Sequence, residues 1–275
     1  AISGARRNML QKSLRIFARK KYGKESIEYK LFNDSERRNF SSLVLRNGGY
    51  EDFISTLFRD GFIQTLVSQN MDIECQSYRP SVVFINGEYF GIYNIREKQN
   101  EEYLQSKKGI DPNNLDILEN DLEIVEGDDI HYKNMISFIE GNDLAIKANY
   151  DSVKNLMEVD NFINYQIAQQ YIANVDWPAN NIKYWRPKTP TGKWRWMLFD
   201  VDAGFGLWGN YNFNSIEFAS AENSSEWNNL PWSTFLFRNL LKNEEFRDEF
   251  AQRFAAYISY KFKTENVLPL IDSIS

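Results

Sequence analysis

Histidine and cysteine are almost missing from this chain: His131 and Cys75 stand alone of their kind among 275 residues. A lone cysteine cannot close an intrachain disulfide, and one cysteine with one histidine cannot supply a zinc-type ligand set. Any metal must therefore be held by carboxylate and amide oxygens, the ligands of hard divalent cations. No apolar run approaches the ~18 residues that a membrane-spanning helix needs, and no signal-peptide pattern opens the chain. A phosphate loop of the G-x-x-x-x-G-K-[S/T] kind is also missing, which disfavours a P-loop enzyme. Excess positive charge is lacking too: a formal net charge of −6 argues against nucleic acid as a partner. Internal repeats and low-complexity tracts are not found.

What is present describes a folded protein. Hydrophobic residues make up 43% and aromatics 15% of the chain, enough for a substantial core in one large domain or two lobes. Ala1 opens directly onto strand-like RRNMLQKSLRI and is not a methionine. The chain reads as an excised domain, with any export signal lying outside it.

Two regions of different character follow each other. In QKSLRIFARKKYG, Leu14, Ile16 and Ala18 alternate with Lys12, Arg15 and Arg19, which predicts a strand with one apolar and one basic face. IEYKLF offers a short second strand. Residues 34–70 read as helical: DSERRNF supplies an acidic cap, and Phe53, Leu57, Phe58 and Leu66 recur at helical spacing. VVFINGEYFGIYNI predicts a β-hairpin, because Asn86 and Gly87 both tolerate the positive φ of a type I′ turn. Beyond residue 98 the pattern is mainly helical: NEEYLQSKKG ends at Gly109, an acidic connection runs through DPNNLDILENDLEIVEGDD, and VDNFINYQIAQQYIANVD is a strongly apolar helix. IKYW and WRWMLF read as the arms of a second hairpin. A loose Asn/Ser/Trp-rich stretch, 207–232, precedes two more helices in STFLFRNLLKN and EEFRDEFAQRFAAYISYKF. The expected fold class is α+β, with a strand-rich lobe over residues 1–98 and a helical lobe carrying the second hairpin over 99–275, in the order of a bilobal kinase.

Chemistry-bearing residues gather in three places. Asp176 and Asn181, in DWPANN, have the D-x-x-x-x-N spacing by which a kinase catalytic loop provides one carboxylate for the attacking hydroxyl and one amide oxygen for a metal. The same residues also suit a plain helix-ending turn of Asp, Pro and Asn. In FDVDAGFG, Asp200 and Asp202 end a hydrophobic strand just before two glycines, which suits a metal-binding turn where the backbone bends sharply past the ligand. The plainer reading is a capped strand end. Lys12 lies in the basic first strand, where a kinase places the lysine that neutralises nucleotide phosphates; a solvated charged face is the competing account.

Taken together, RRNMLQKSLRIFARKKYG, FINGEYFGIYNIREKQNEEYL, NVDWPANNIKYW and WRWMLFDVDAGFG resemble, in order and spacing, the CotH kinase family of atypical secreted or spore-coat-associated protein kinases. That resemblance spans essentially the whole chain. It implies a divergent bilobal kinase-like fold using ATP with Mg²⁺ or Mn²⁺, and a protein substrate with a Ser or Thr acceptor. By the same resemblance Asp176 is the catalytic aspartate, Lys12 contacts the nucleotide phosphates, and Asp200, Asp202 and Asn181 hold the metal. Glu97 falls where the family keeps an acid near the nucleotide, and Asp60 in LFRDGF is the expected partner of Lys12. There are departures: no G-x-G-x-x-G loop is found, and Val175, not arginine, precedes Asp176. An extracytoplasmic or cell-surface location is implied. Two alternatives stay open: a catalytically silent kinase-like module that grips a protein or glycan with the loop bearing Trp208, Trp227 and Trp232, and transfer of AMP, or phosphorylation of a small molecule, by the same residues.

Overall fold

The computed structural model describes residues 11–49, 52–207, 211–222, 224 and 226–274. Trp208, one of the three loop tryptophans, lies outside the described residues.

The first sheet is built from β1 (Leu14–Phe17), β4 (Ser42–Arg46), β5 (Tyr78–Ile85) and β6 (Glu88–Arg96), in the antiparallel order β1-β4-β6-β5. A separate small ribbon pairs β2 (Ile27–Glu28) with β3 (Asn39–Phe40). Asn86 and Gly87 take φ values of 52° and 85° at the β5–β6 turn, as a type I′ hairpin requires. β1 is an edge strand, and its alternation does not translate into burial: Ile16 and Phe17 are both exposed.

Residues 34–70 are not one helix. Residues 42–46, SLVLR, form β4 at the interior of the sheet, and the helix α1 (Arg59–Ser68) begins only after Leu57, whose φ is 65°. The local reason is a two-residue period: Leu43 and Leu45 are buried, Leu43 against Phe32 and Phe40, while Val44 and Arg46 turn to the opposite face. In the β4–β6 register Val44 lies opposite Arg96 and Arg46 opposite Asn94. Arg46 and Arg96 therefore project from one face of the sheet.

After α2 (Glu101–Lys108), closed by Gly109 at φ 69°, the expected acidic connection is a hairpin. β7 (Leu115–Glu119) and β8 (Glu123–Glu126) join β9 (Lys183–Pro187) and β10 (Arg195–Met197) in a second antiparallel sheet, order β10-β9-β7-β8. Around this sheet lie α3 (Ile130–Gly141), α4 (Lys147–Lys154), α5 (Val159–Tyr171), α6 (Ser215–Ser220), α7 (Pro231–Leu240), α8 (Glu244–Ala256) and α9 (Thr264–Ile274). α5 is buried on almost every side, which suits its lack of charge beyond Asp160. The main core crosses the expected division at residue 98: Phe62, Ile63 and Leu66 of α1 share one apolar cluster with Ile163 and Ile167 of α5 and Phe250 of α8. This shared core makes α1 the element that ties the first sheet to the helical part.

Candidate functional site

The turn after β10 brings Asp200 and Asp202 together. Asp200 has φ 49°, a left-handed conformation that non-glycine residues adopt at some cost and that concentrates at functional sites. Both carboxylates are buried, each 7% exposed, and both accept hydrogen bonds from one nitrogen, Nη2 of Arg46; the bond to Asp202 Oδ2 spans 2.8 Å. Two like charges out of water repel, which disfavours carrying both at once. Burial, then the Asp200 charge, push Asp202 up to about 7 against the pull of Arg46. Burial works against the Arg46 charge as well, but Asp200, Asp60 and Asp202 outweigh it and hold the guanidinium firmly protonated.

α1 fixes this turn from the other side. Asp60 Oδ1 accepts the Val201 N–H at 3.0 Å, between the two acids, and Asp60 Oδ2 lies 2.5 Å from Arg96 Nη1. Burial raises the Asp60 carboxyl, yet the Arg96 and Arg46 guanidiniums prevail and hold it below the usual carboxylate range. Arg59 donates from Nη1 to the carbonyls of Gly204 and Phe205 at 2.9 and 3.0 Å. Asp60 thus pairs with Arg96 and positions the acidic turn; it does not partner Lys12. The strand-to-helix connection also comes close: a Cβ on Gly49, whose φ is 109°, would stand 1.7 Å from Asp202 Oδ2. Only glycine fits that position without moving the carboxylate.

The Asp176 loop packs beside the same turn. The Val175 N–H donates to the Ala203 carbonyl at 3.3 Å, and Val175, Ala203 and Leu207 form a small apolar cluster. Asn174 Oδ1 accepts the Asp176 N–H at 3.1 Å, an Asx turn that sets the aspartate's backbone. Asp176 in turn accepts from Asn180 Nδ2 at 3.0 Å and Asn181 Nδ2 at 2.7 Å. Asn181 has φ 57° and, with its amide nitrogen committed to Asp176, keeps its carbonyl oxygen free of hydrogen bonds to the described residues. Asn228 clamps the loop from outside, donating to the Val175 carbonyl while its own carbonyl accepts from Ala179 N at 2.7 Å.

Two of the expected residues stand elsewhere, and a third, Asp60, is at the turn without facing a ligand. Lys12 is exposed at the end of β1, where its carbonyl accepts from the Tyr93 hydroxyl at 2.8 Å. Its neighbours Gln11 and Ser13 bond Asn47, next in chain to Arg46, so Lys12 borders the strand end that carries Arg46. Glu97 is fully buried, 3.6 Å from Arg37 Nη1 and 3.5 Å from Lys107 Nζ. With no exposed atom, Glu97 offers a nucleotide nothing to touch in this conformation. Asp60 is likewise sealed in its pair with Arg96.

The oxygen set suits a hard divalent cation. No group of three or more His, Cys, Asp or Glu side chains forms a metal cluster among the described residues. The available ligands are two carboxylates, Asp200 and Asp202, with the amide oxygen of Asn181, all oxygen and all suited to Mg²⁺ or Mn²⁺. Repulsion between the two buried acids is the observation that favours a cation here. Arg46 was not foreseen. Its signal was the alternation in SLVLR followed by Asn47-Gly48-Gly49, but its acidic partners lie more than 150 residues away along the chain.

A comparison with curated proteins finds no match. The family model described as CotH kinase protein matches residues 3–275, essentially the whole chain, and the protein therefore belongs to the CotH kinase family.

Proposed function

We propose that this protein is an ATP- and divalent-metal-dependent phosphotransferase with a divergent bilobal kinase-like fold, acting on Ser or Thr of a protein. The observation that carries this reading is the pairing of buried Asp200 and Asp202 beside the loop that holds Asp176 and Asn181. Family membership supports a kinase-like enzyme; the reaction and the residue roles are our reading.

In that reading Asp200, Asp202 and Asn181 hold Mg²⁺ or Mn²⁺, which when bound offsets charge on the nucleotide phosphates. Asp176, fixed by Asn180 and Asn181, orients the acceptor hydroxyl and draws off its proton as the new oxygen–phosphorus bond forms and the bridging oxygen leaves with ADP. Lys12, exposed just before β1, is the cation this reading assigns to the nucleotide phosphates. Asp60 and Arg59 keep the acidic turn in shape, which lowers the reorganisation needed at reaction.

A second reading rests on Arg46. Its guanidinium already bridges the two acids, and a protein cation installed for good would make the chain a silent kinase-like binding module. One experiment separates these readings. The protein is incubated with ATP and Mn²⁺, with dephosphorylated casein as acceptor, and products are read by intact mass. Phosphate increments that vanish in Asp176→Asn and Asp200→Ala support the kinase; AMP increments identify nucleotidyl transfer. Increments that persist in both variants refute the site, and their complete absence in the parent protein favours the silent module.

A further inference from the structure

A cavity of about 490 Å³ lies away from the acidic turn, among α3, α5, α7 and the second sheet. Its volume falls in the range of small-molecule sites, roughly 300–1,000 Å³. Aromatic and aliphatic side chains make the wall, among them Phe162, Tyr132, Tyr184, Trp196, Trp177 and Leu236. Of the charged lining residues, Asp121, Lys133 and Glu140 are exposed, which puts them at the mouth, and Arg238 is paired with Glu222 at 3.3 Å. Lys133 is also paired with Asp129 at 2.7 Å.

Two donors in the wall meet no acceptor among the described residues. The Tyr165 hydroxyl, on a residue 2% exposed, accepts from Trp177 Nε1 at 3.0 Å and Gln169 Nε2 at 3.3 Å. A hydroxyl has two acceptor sites and one proton; both acceptor sites are filled and the proton goes to no described residue. Gln166, 4% exposed, accepts at Oε1 from Gln170 Nε2 at 3.0 Å, and its own Nε2 donates to no described residue. Both residues line the cavity, and donors there that no protein acceptor meets favour a ligand that brings an acceptor oxygen. An ionised ligand would lose its hydration among the aromatic and aliphatic side chains of the wall.

We infer that this cavity binds an uncharged, flat, largely aromatic small molecule carrying one carbonyl-type oxygen, which accepts from Gln166 Nε2 and the Tyr165 hydroxyl. Trp177 and Ile182 belong to the wall and directly follow Asp176 and Asn181 in the chain, so a molecule seated there touches both ends of that loop. The inference does not depend on phosphotransfer, because binding is measured directly.

The probes are chromone and naphthalene, fused bicycles of similar size that differ in the carbonyl. Each is titrated into the whole protein and followed by ligand-observed NMR. Chromone is expected to bind saturably at one site, roughly five- to a hundredfold tighter than naphthalene, as two added hydrogen bonds imply. Ser137→Trp, at an exposed position of α3 lining the mouth, should weaken chromone at least tenfold without lowering the unfolding midpoint. Gln166→Leu should narrow the difference between chromone and naphthalene at least twofold, leaving the Tyr165 contribution. Absence of saturable chromone binding, binding untouched by Ser137→Trp, or equal affinity of the two probes for the parent protein would each overturn the inference.

Discussion

Replacing Asp202 by asparagine should stabilise the metal-free protein by an amount that grows as pH rises from about 5 to about 8.5. Asparagine keeps the shape of the side chain and its acceptor oxygen toward Arg46 but removes the charge that burial and Asp200 disfavour. The folded-state carboxyl lies at about 7, against 3.8 for an ordinary aspartate. Between those values the folded chain binds more protons than the unfolded one, so this group's contribution to stability falls as pH rises through the window and is fully lost above about 7. The separation corresponds to an upper bound of roughly 4 kcal/mol, and half of that is easily read. The assay is urea denaturation in EDTA at several pH values from about 5 to about 8.5, for the parent and Asp202→Asn. The advantage of the variant should grow by about 2–3 kcal/mol between pH 5 and the alkaline end. Adding Mn²⁺ should then stabilise the parent selectively. Parallel stability profiles across the whole range would refute the reasoning, because they would show that the Asp202 charge costs nothing on folding.

Two further substitutions test the supports of the same turn. Asp60→Asn leaves Arg96 buried without its charge partner and should cost about 3–5 kcal/mol of stability by urea denaturation; a loss below about 1 kcal/mol contradicts the role given to that pair. Gly49→Ala places a Cβ against the Asp202 carboxylate and forces alanine to a φ of 109°, so it should lower stability by at least about 1–2 kcal/mol and weaken Mn²⁺ binding. Unchanged Mn²⁺ affinity, read by calorimetry on the folded variant, would show that the close approach of Gly49 is irrelevant to the acids.

Local chemistry made part of this architecture legible. Asn86-Gly87 forces its turn, Gly109 closes α2, and the uncharged face-to-face run of α5 leaves it nowhere to go but the core. Asp176 with Asn181, and Asp200 with Asp202, stood out because carboxylates and amides at the ends of a hairpin serve no packing purpose. The stretch from 34 to 70 misled, since DSERRNF has the composition of a helix start while the five-residue alternation of SLVLR is too short to outweigh it. The β7–β8 hairpin was hidden for a similar reason: LDILE and EIVE are short strands set among acids, and their pairing with β9 is a tertiary event. Glu97 and Asp60 carry no local mark that distinguishes a buried structural ion pair from a ligand contact. Their partners Arg37, Lys107 and Arg96 are brought to them only by the sheet and its packing against α1.

The most direct test of the central claim is calorimetric titration of ATP, with and without Mn²⁺, into the parent protein and Asp200→Ala. The account predicts ATP binding that requires Mn²⁺ and is lost in the variant, with the unfolding midpoint of the variant preserved. ATP binding that ignores Mn²⁺, or that survives Asp200→Ala intact, would contradict a nucleotide–metal site at the paired aspartates. No binding to either protein would contradict the kinase reading and leave the Arg46-bridged acids as a structural device.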